Sequence, residues 1–181
     1  MSWIETYTAK RFDFVNLDAN EISILDIAHA LSNICRFTGH CREFYSVAEH
    51  CVIMSQMGHW TSNAQRFEAL MHDAHEAYIG DMSAPLKHIS PEFKAFEKRV
   101  EAMVRRRFGL PEQLSPEIKD ADLRMLAMEA RDVMRGDWRE WGSIKGVVPA
   151  QVVPNCLTPG EARTLFLTRF AEVYMFKEVA K

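Results

Sequence analysis

Apolar residues recur at helical spacing along nearly the whole chain, and no stretch alternates apolar and polar residues for long enough to make a convincing strand. Ile24, Ile27, Ala28, Leu31, Ile34 and Cys35 follow the helical pattern, and Ser23 with Asp26 resembles a capping box. Ser46 and Glu49 give a second cap signature, for a helix with Val47, Cys51 and Met54 on one face. Phe67, Leu70, Met71, Ala74 and Tyr78 define a third helix, which Gly80 ends. Ser90 and Pro91 open a fourth, whose stripe is Phe93, Phe96, Val100, Met103, Val104 and Phe108. Ser115 and Pro116 open another, with Ile118, Ala121, Met125 and Met128, and Thr158, Pro159 and Glu161 open the last. Residues 80–91 carry the breakers of a loop, and residues 136–157, with Trp138, Trp141 and several Gly and Pro, read as a long irregular segment packed over something. The expectation is an all-α bundle of about five to seven helices with no internal repeat.

A length of 181 residues with 48% hydrophobic content supports one core, so residues 1–181 are expected to form a single domain. The formal charge of -3 gives no general attraction to nucleic acid polymers or anionic membranes. Neither a signal-peptide run nor an apolar span of membrane length occurs, so a cytoplasmic protein is expected. Cys35, Cys41, Cys51 and Cys156 show no CxxC pairing and read as reduced thiols. Arg105, Arg106 and Arg107 read as a solvated face or an interface edge.

Against this apolar background, the stretch LMHDAHEAYIGD at residues 70–81 is unusual for its two histidines, two aspartates and glutamate. His50 lies where the second helix should face the core, and Asp122 interrupts the apolar stripe between Ile118 and Met125. His72 and Asp73 are adjacent, with Glu76 one turn on. Taken singly, an inward histidine is more often a hydrogen-bonded core residue, and a lone aspartate could pair with Arg or Lys. Two imidazoles and two carboxylates from three helices solve one another's burial problem if a divalent cation sits between them. Mixed nitrogen and oxygen ligands suit Mn, Fe, Co, Ni or Zn better than Ca.

The order His50, His72-Asp73, Asp122 resembles the H...HD...D signature of the HD-domain metal-dependent phosphohydrolases, an all-α superfamily. The surrounding blocks RF...YSVAEH (36–50), HDAHEAYIGDMSAPLK (72–87) and KDADLRMLAMEARDVM (119–134) resemble the bacterial 5'-deoxynucleotidase-like branch. That resemblance implies an HD-type helical bundle around a buried site in which His50, His72, Asp73 and Asp122 hold one divalent transition metal. It implies that Glu76 orients or deprotonates the attacking water, and that Asp81, also counted as catalytic, meets the sugar hydroxyl. Arg36 would grip the phosphate, Phe37 would pack on the base, and Lys87 would supply a second positive charge. Since no second HD pair occurs, one metal is expected rather than two.

The implied activity is hydrolysis of the 5'-phosphate ester of a nucleotide, foremost a deoxynucleoside monophosphate. HD-type enzymes that release triphosphate from dNTPs are the alternative, for which Lys10, Arg11, Arg42, Lys87 and Arg124 are further cationic candidates. A nucleotide-binding regulator on the same scaffold is the alternative of another class. The separation from His50 to His72 is shorter than in the best-known deoxynucleotidases, and Phe37 stands where they can carry a larger aromatic. Members commonly assemble as homodimers or larger oligomers, for which the aromatic-rich helix over 93–108 offers a surface.

Overall fold

The computed structural model describes residues 1–175. Its helices are α1 (Ile24–Asn33), α2 (Val47–Gln56), α3 (Asn63–Met71), α4 (Glu76–Ile79), α5 (Ala84–His88), α6 (Pro91–Arg107), α7 (Pro116–Asp132) and α8 (Pro159–Met175). Each of the six longer ones starts at the serine or threonine read from the sequence or, for α3, at Ser62, whose hydroxyl accepts from the Gln65 amide. The short α5, with Pro85 in its first turn, lies inside the expected loop 80–91, where five mostly exposed residues leave no apolar stripe to read.

Two short strands correct the expectation of none. β1 (Trp3–Glu5) and β2 (Arg11–Asp13) pair antiparallel, with Ile4 opposite Phe12. Three residues are too few to display a period of two, so the hairpin leaves no pattern in the sequence. It is anchored by tertiary contacts: Phe12 stacks on Tyr78 at 4.4 Å, and Thr8 donates through its amide and hydroxyl to Asp26 of α1.

α2 runs through the middle of the bundle, with every residue from Val47 to Ser55 buried. On one side it packs with α1, α3 and α8 in a core that includes Leu31, Val52, Phe67 and Phe166. On another it meets α7, where Met54, Ile118 and Met125 pack with Tyr45 and Trp60. The stripe of α6 faces the first core through Val100, Met103, Val104 and Phe108. A smaller cluster sits Ile144 of the irregular segment against Ala127 and Ala130 of α7, so that segment packs over α7.

Arg105 corrects the reading of the basic triplet. It is buried, pairs with Glu68 of α3 at 2.7 Å and donates to the carbonyls of Pro111 and Gln113, while Arg106 and Arg107 are exposed. A buried guanidinium is tolerated there because carboxylate and carbonyl oxygens replace its water.

Candidate metal centre

A helix buried all round must satisfy every polar side chain internally, and α2 carries His50 under that constraint. His50 Nδ1 lies 2.6 Å from Glu129 Oε1 of α7. Because a carboxylate accepts only, the ring donates from Nδ1 and its Nε2 is left with a lone pair. His72 is fixed in the same sense, its Nδ1 lying 2.8 Å from the Ala69 carbonyl.

That second bond also explains where the structure departs from a continuous third helix over 67–78. In an uninterrupted helix the Ala69 carbonyl would accept from the Asp73 amide; here it accepts from the His72 ring. The chain tightens into i to i+3 bonding, with Ala74 N–H donating to Met71 and Glu76 N–H to Asp73, before α4 resumes. The break sets Asp73 Oδ2 3.0 Å from His72 Nε2.

Two imidazole lone pairs therefore face each other, His50 Nε2 and His72 Nε2 being 3.2 Å apart. Asp122 Oδ1 of α7 lies 3.4 Å from the first and 3.9 Å from the second, and Asp73 Oδ2 lies 3.8 Å from the first. Four electron-pair donors at these separations repel unless a cation lies among them. Bonds of ~2.0–2.2 Å from nitrogen and oxygen to a first-row ion put adjacent ligand atoms ~3–3.5 Å apart; His50, His72 and Asp122 lie close enough together to hold such an ion, and Asp73 Oδ2 adjoins the two histidines at 3.8 and 3.0 Å. Proton affinities point the same way. Burial disfavours the imidazolium of His72, but Asp73 outweighs it and holds the pKa well above the ordinary value; His50 is raised despite burial and Arg36, through Glu129 and Asp122. Cys51 Sγ lies 3.9 Å from His72 Nδ1 and forms with His72 and Asp73 a second triad close enough to hold a cation, while burial raises its thiol pKa.

Glu129 is the participant that the sequence reading missed. It is fully buried, with one oxygen on His50 and the other taking Arg36 Nε at 3.2 Å and Nη2 at 2.9 Å. It stands seven residues after Asp122, two turns along the same face of α7, and this spacing was the available signal. Arg36 is thus committed through two nitrogens to Glu129, while Nη1 lies 3.8 Å from Asp73.

Through Asp73 and Asp122 the histidine–aspartate cluster borders a cleft of about 880 Å³, a size that suits a small-molecule ligand. Arg36, Phe37, Asp73, Glu76, Asp81, Lys87 and Asp122 all line it, so the structure brings every expected site residue either to the cluster or to this cleft. Glu76 is buried, and its Oε2 has no hydrogen-bond partner among the described residues. Burial, with Asp73 and Asp81 adding repulsion, pushes its pKa well above the usual carboxylate range, against Lys87 at 3.5 Å. Asp81, released by the left-handed turn at Gly80, is also raised by burial.

Lys87 of α5 makes its shorter contact to Glu97 of α6, at 2.6 Å, and His75 Nε2 lies 3.6 Å from the same oxygen. His75, Glu76 and Glu97 are close enough to hold a cation together, and the Lys87 ammonium is the cation found between the two carboxylates. Neither His75 nor Glu97 was assigned a role from the sequence. Phe37 and Thr38 both adopt left-handed backbone, with φ of 53° and 55°, which is costly for such side chains. The Phe37 ring meets Trp141 edge-on, with centroids 5.9 Å apart.

The chain is 42% identical over 99% of its length to an uncharacterised protein, YfdR, of Escherichia coli strain K12, covering all of that protein. It is 34% identical over 66% of its length to an uncharacterised protein of Rhodobacter capsulatus, covering 65% of it. Residues 25–135, which contain His50, His72, Asp73 and Asp122 together with Arg36, Glu76, Asp81 and Glu129, match a family model described as 5'-deoxynucleotidase YfbR-like. The chain belongs to the YfbR-like 5'-deoxynucleotidase family of HD-type proteins.

Proposed function

We propose that this protein is a metal-dependent 5'-nucleotidase that hydrolyses deoxynucleoside monophosphates to deoxynucleosides and phosphate. The observation that carries the reading is the convergence of His50, His72 and Asp122, with Asp73 3.0 Å from His72, on a cleft lined by Glu76, Asp81 and two permanent cations, Arg36 and Lys87. The four ligands would hold one divalent ion, which when bound polarises a phosphoryl group and acidifies water. Glu76, kept basic by its burial beside Asp73 and Asp81, accepts the proton of the attacking water as the new P–O bond forms. The same carboxyl can return that proton to the departing 5'-oxygen as the ester bond breaks. Lys87 offsets phosphate charge from the Glu76 side, the Arg36 Nη1 edge faces the cleft, and Asp81 accepts from a sugar hydroxyl.

A monophosphate fits the charge inventory better than a triphosphate. Among the described residues lining the cleft, Arg36 and Lys87 are the lysines and arginines, and each is already paired with a glutamate. Lys10, Arg11, Arg42 and Arg124 are not among the residues that line it.

The test is ³¹P NMR of chelator-stripped protein with each dNMP and dNTP, with and without Co or Mn. Metal-dependent orthophosphate from dNMPs is expected. Inorganic triphosphate from a dNTP would replace this reading with a triphosphohydrolase, and intact nucleotide under every metal would replace it with a binding regulator.

A further inference from the structure

Two kinds of side chain line the cleft. Asp73, Glu76, Lys87 and Asp122 bring charge to it. Leu126 stands one turn beyond Asp122 on α7, about 6 Å along the helix axis, and leads from the metal ligands toward the end of the helix. Met134, Trp141 and Phe37 also line the cleft, and Trp141 and Phe37 touch edge to face. Trp141 is half-buried and is held down by its own segment, through Ile144 against Ala127 and Ala130. Phe37 follows Arg36 directly and is turned by the left-handed backbone at 37 and 38. The charged wall and the aromatic wall are therefore continuous, running from Asp73 through Arg36 to Phe37 and Trp141.

Trp141 lies outside residues 25–135, so the family match does not supply this part of the wall. Among the described residues lining the cleft there is no asparagine or glutamine, the side chains that pair bidentately with adenine, while Thr38, His40, Ser83 and Ser143 bring hydrogen-bonding groups to it. What the Phe37 and Trp141 rings offer a flat heterocycle is aromatic surface, which every base can use.

We propose that Trp141, beside Phe37, receives the nucleobase by ring contact and so contributes to affinity for nucleotides. This rests on the nucleotidase reading above. A phosphate bound among Arg36, Lys87 and the metal ligands leaves the sugar between the two walls and the base against Trp141.

The experiment compares wild type, Trp141→Ala and Trp141→Phe on the four dNMPs and on deoxyribose 5-phosphate, which keeps the phosphate and sugar but has no base. Stacking on one aromatic side chain corresponds to roughly 5- to 150-fold in affinity, so KM for each dNMP should rise by that order in Trp141→Ala with kcat little changed. Trp141→Phe should recover most of the loss, and KM for deoxyribose 5-phosphate should be the same in all three proteins. Quenching of tryptophan fluorescence by a dNMP, measured in a Glu76→Gln background so that the nucleotide stays intact, should be strongly reduced when Trp141→Phe is added. Equal losses on deoxyribose 5-phosphate, or unchanged KM for every dNMP, would overturn the role of Trp141 and leave the nucleotidase reading standing. A wild type that hydrolyses deoxyribose 5-phosphate but none of the nucleotides would overturn both.

Discussion

Glu129 shows how much one buried side chain can decide. Its two oxygens join His50 to Arg36, so a single carboxylate orients one imidazole of the candidate metal centre and one cleft cation. Burial raises its pKa, but Arg36 and His50 outweigh burial and keep it ionised. Loss of a group that orients a ligating histidine typically costs ~10–100-fold in metal affinity. Glu129→Gln should weaken Co or Mn binding by that order in calorimetry, because the neutral amide no longer compensates Arg36 and holds the imidazole less firmly. An affinity equal to wild type would show that the packing of α2 alone orients His50.

At the scale of the element, three acid residues occupy the third helical position of a capping signature, and their fates differ by burial. Glu161 is exposed, and its carboxylate accepts from the amide and hydroxyl of Thr158, completing the local box. Asp26 is buried and turns instead to Thr8 of the hairpin. Glu49 is buried and accepts three amides, from Asn155, Cys156 and Leu157, at 2.6–3.0 Å, which ties the segment before α8 to α2. The serines still cap their helices, so the starts were legible while the partners of the two buried acids were not. Glu97 makes a comparable link between α6 and α5 through Lys87. Burial opposes its charge, but His75 and Lys87 outweigh burial and depress its pKa below 4.5. The link therefore contributes fully above about pH 4.5 and is lost as pH falls through the depressed value. The melting temperature of Glu97→Gln should lie below that of wild type at pH 7, with the gap closing as the pH is lowered past 4. A gap that stays constant with pH would remove the electrostatic account of this contact.

For the whole molecule, His50, His72, Asp73 and Asp122 come from α2, from the turn after α3 and from α7, and they meet where two core clusters share α2. An ion bound there would stabilise the folded chain by mass action, by about 2.7 kcal/mol at a free concentration one hundred times Kd. The melting temperature of stripped protein should rise with added Co or Mn and fall again with chelator, whereas His72→Ala should show neither change. A wild-type melting temperature indifferent to metal would argue against occupancy of the cluster in the folded state. The six longer helices, all their caps but Ser62, and the polar positions of His50 and Asp122 on apolar stripes could be read from the chain, because apolar periodicity and hydroxyl caps are local and a polar residue on an apolar stripe announces itself. The break at His72, the hairpin, the burial of Arg105, the pairing of Lys87 with Glu97 and the joining of Trp141 to Phe37 depended on contacts between residues far apart in sequence. The sequence by itself determined which residue types were available for a metal and a phosphate. Tertiary structure decided which lone pairs were left without protons, because hydrogen bonds from Glu129 and Ala69 settle that only once three helices have packed.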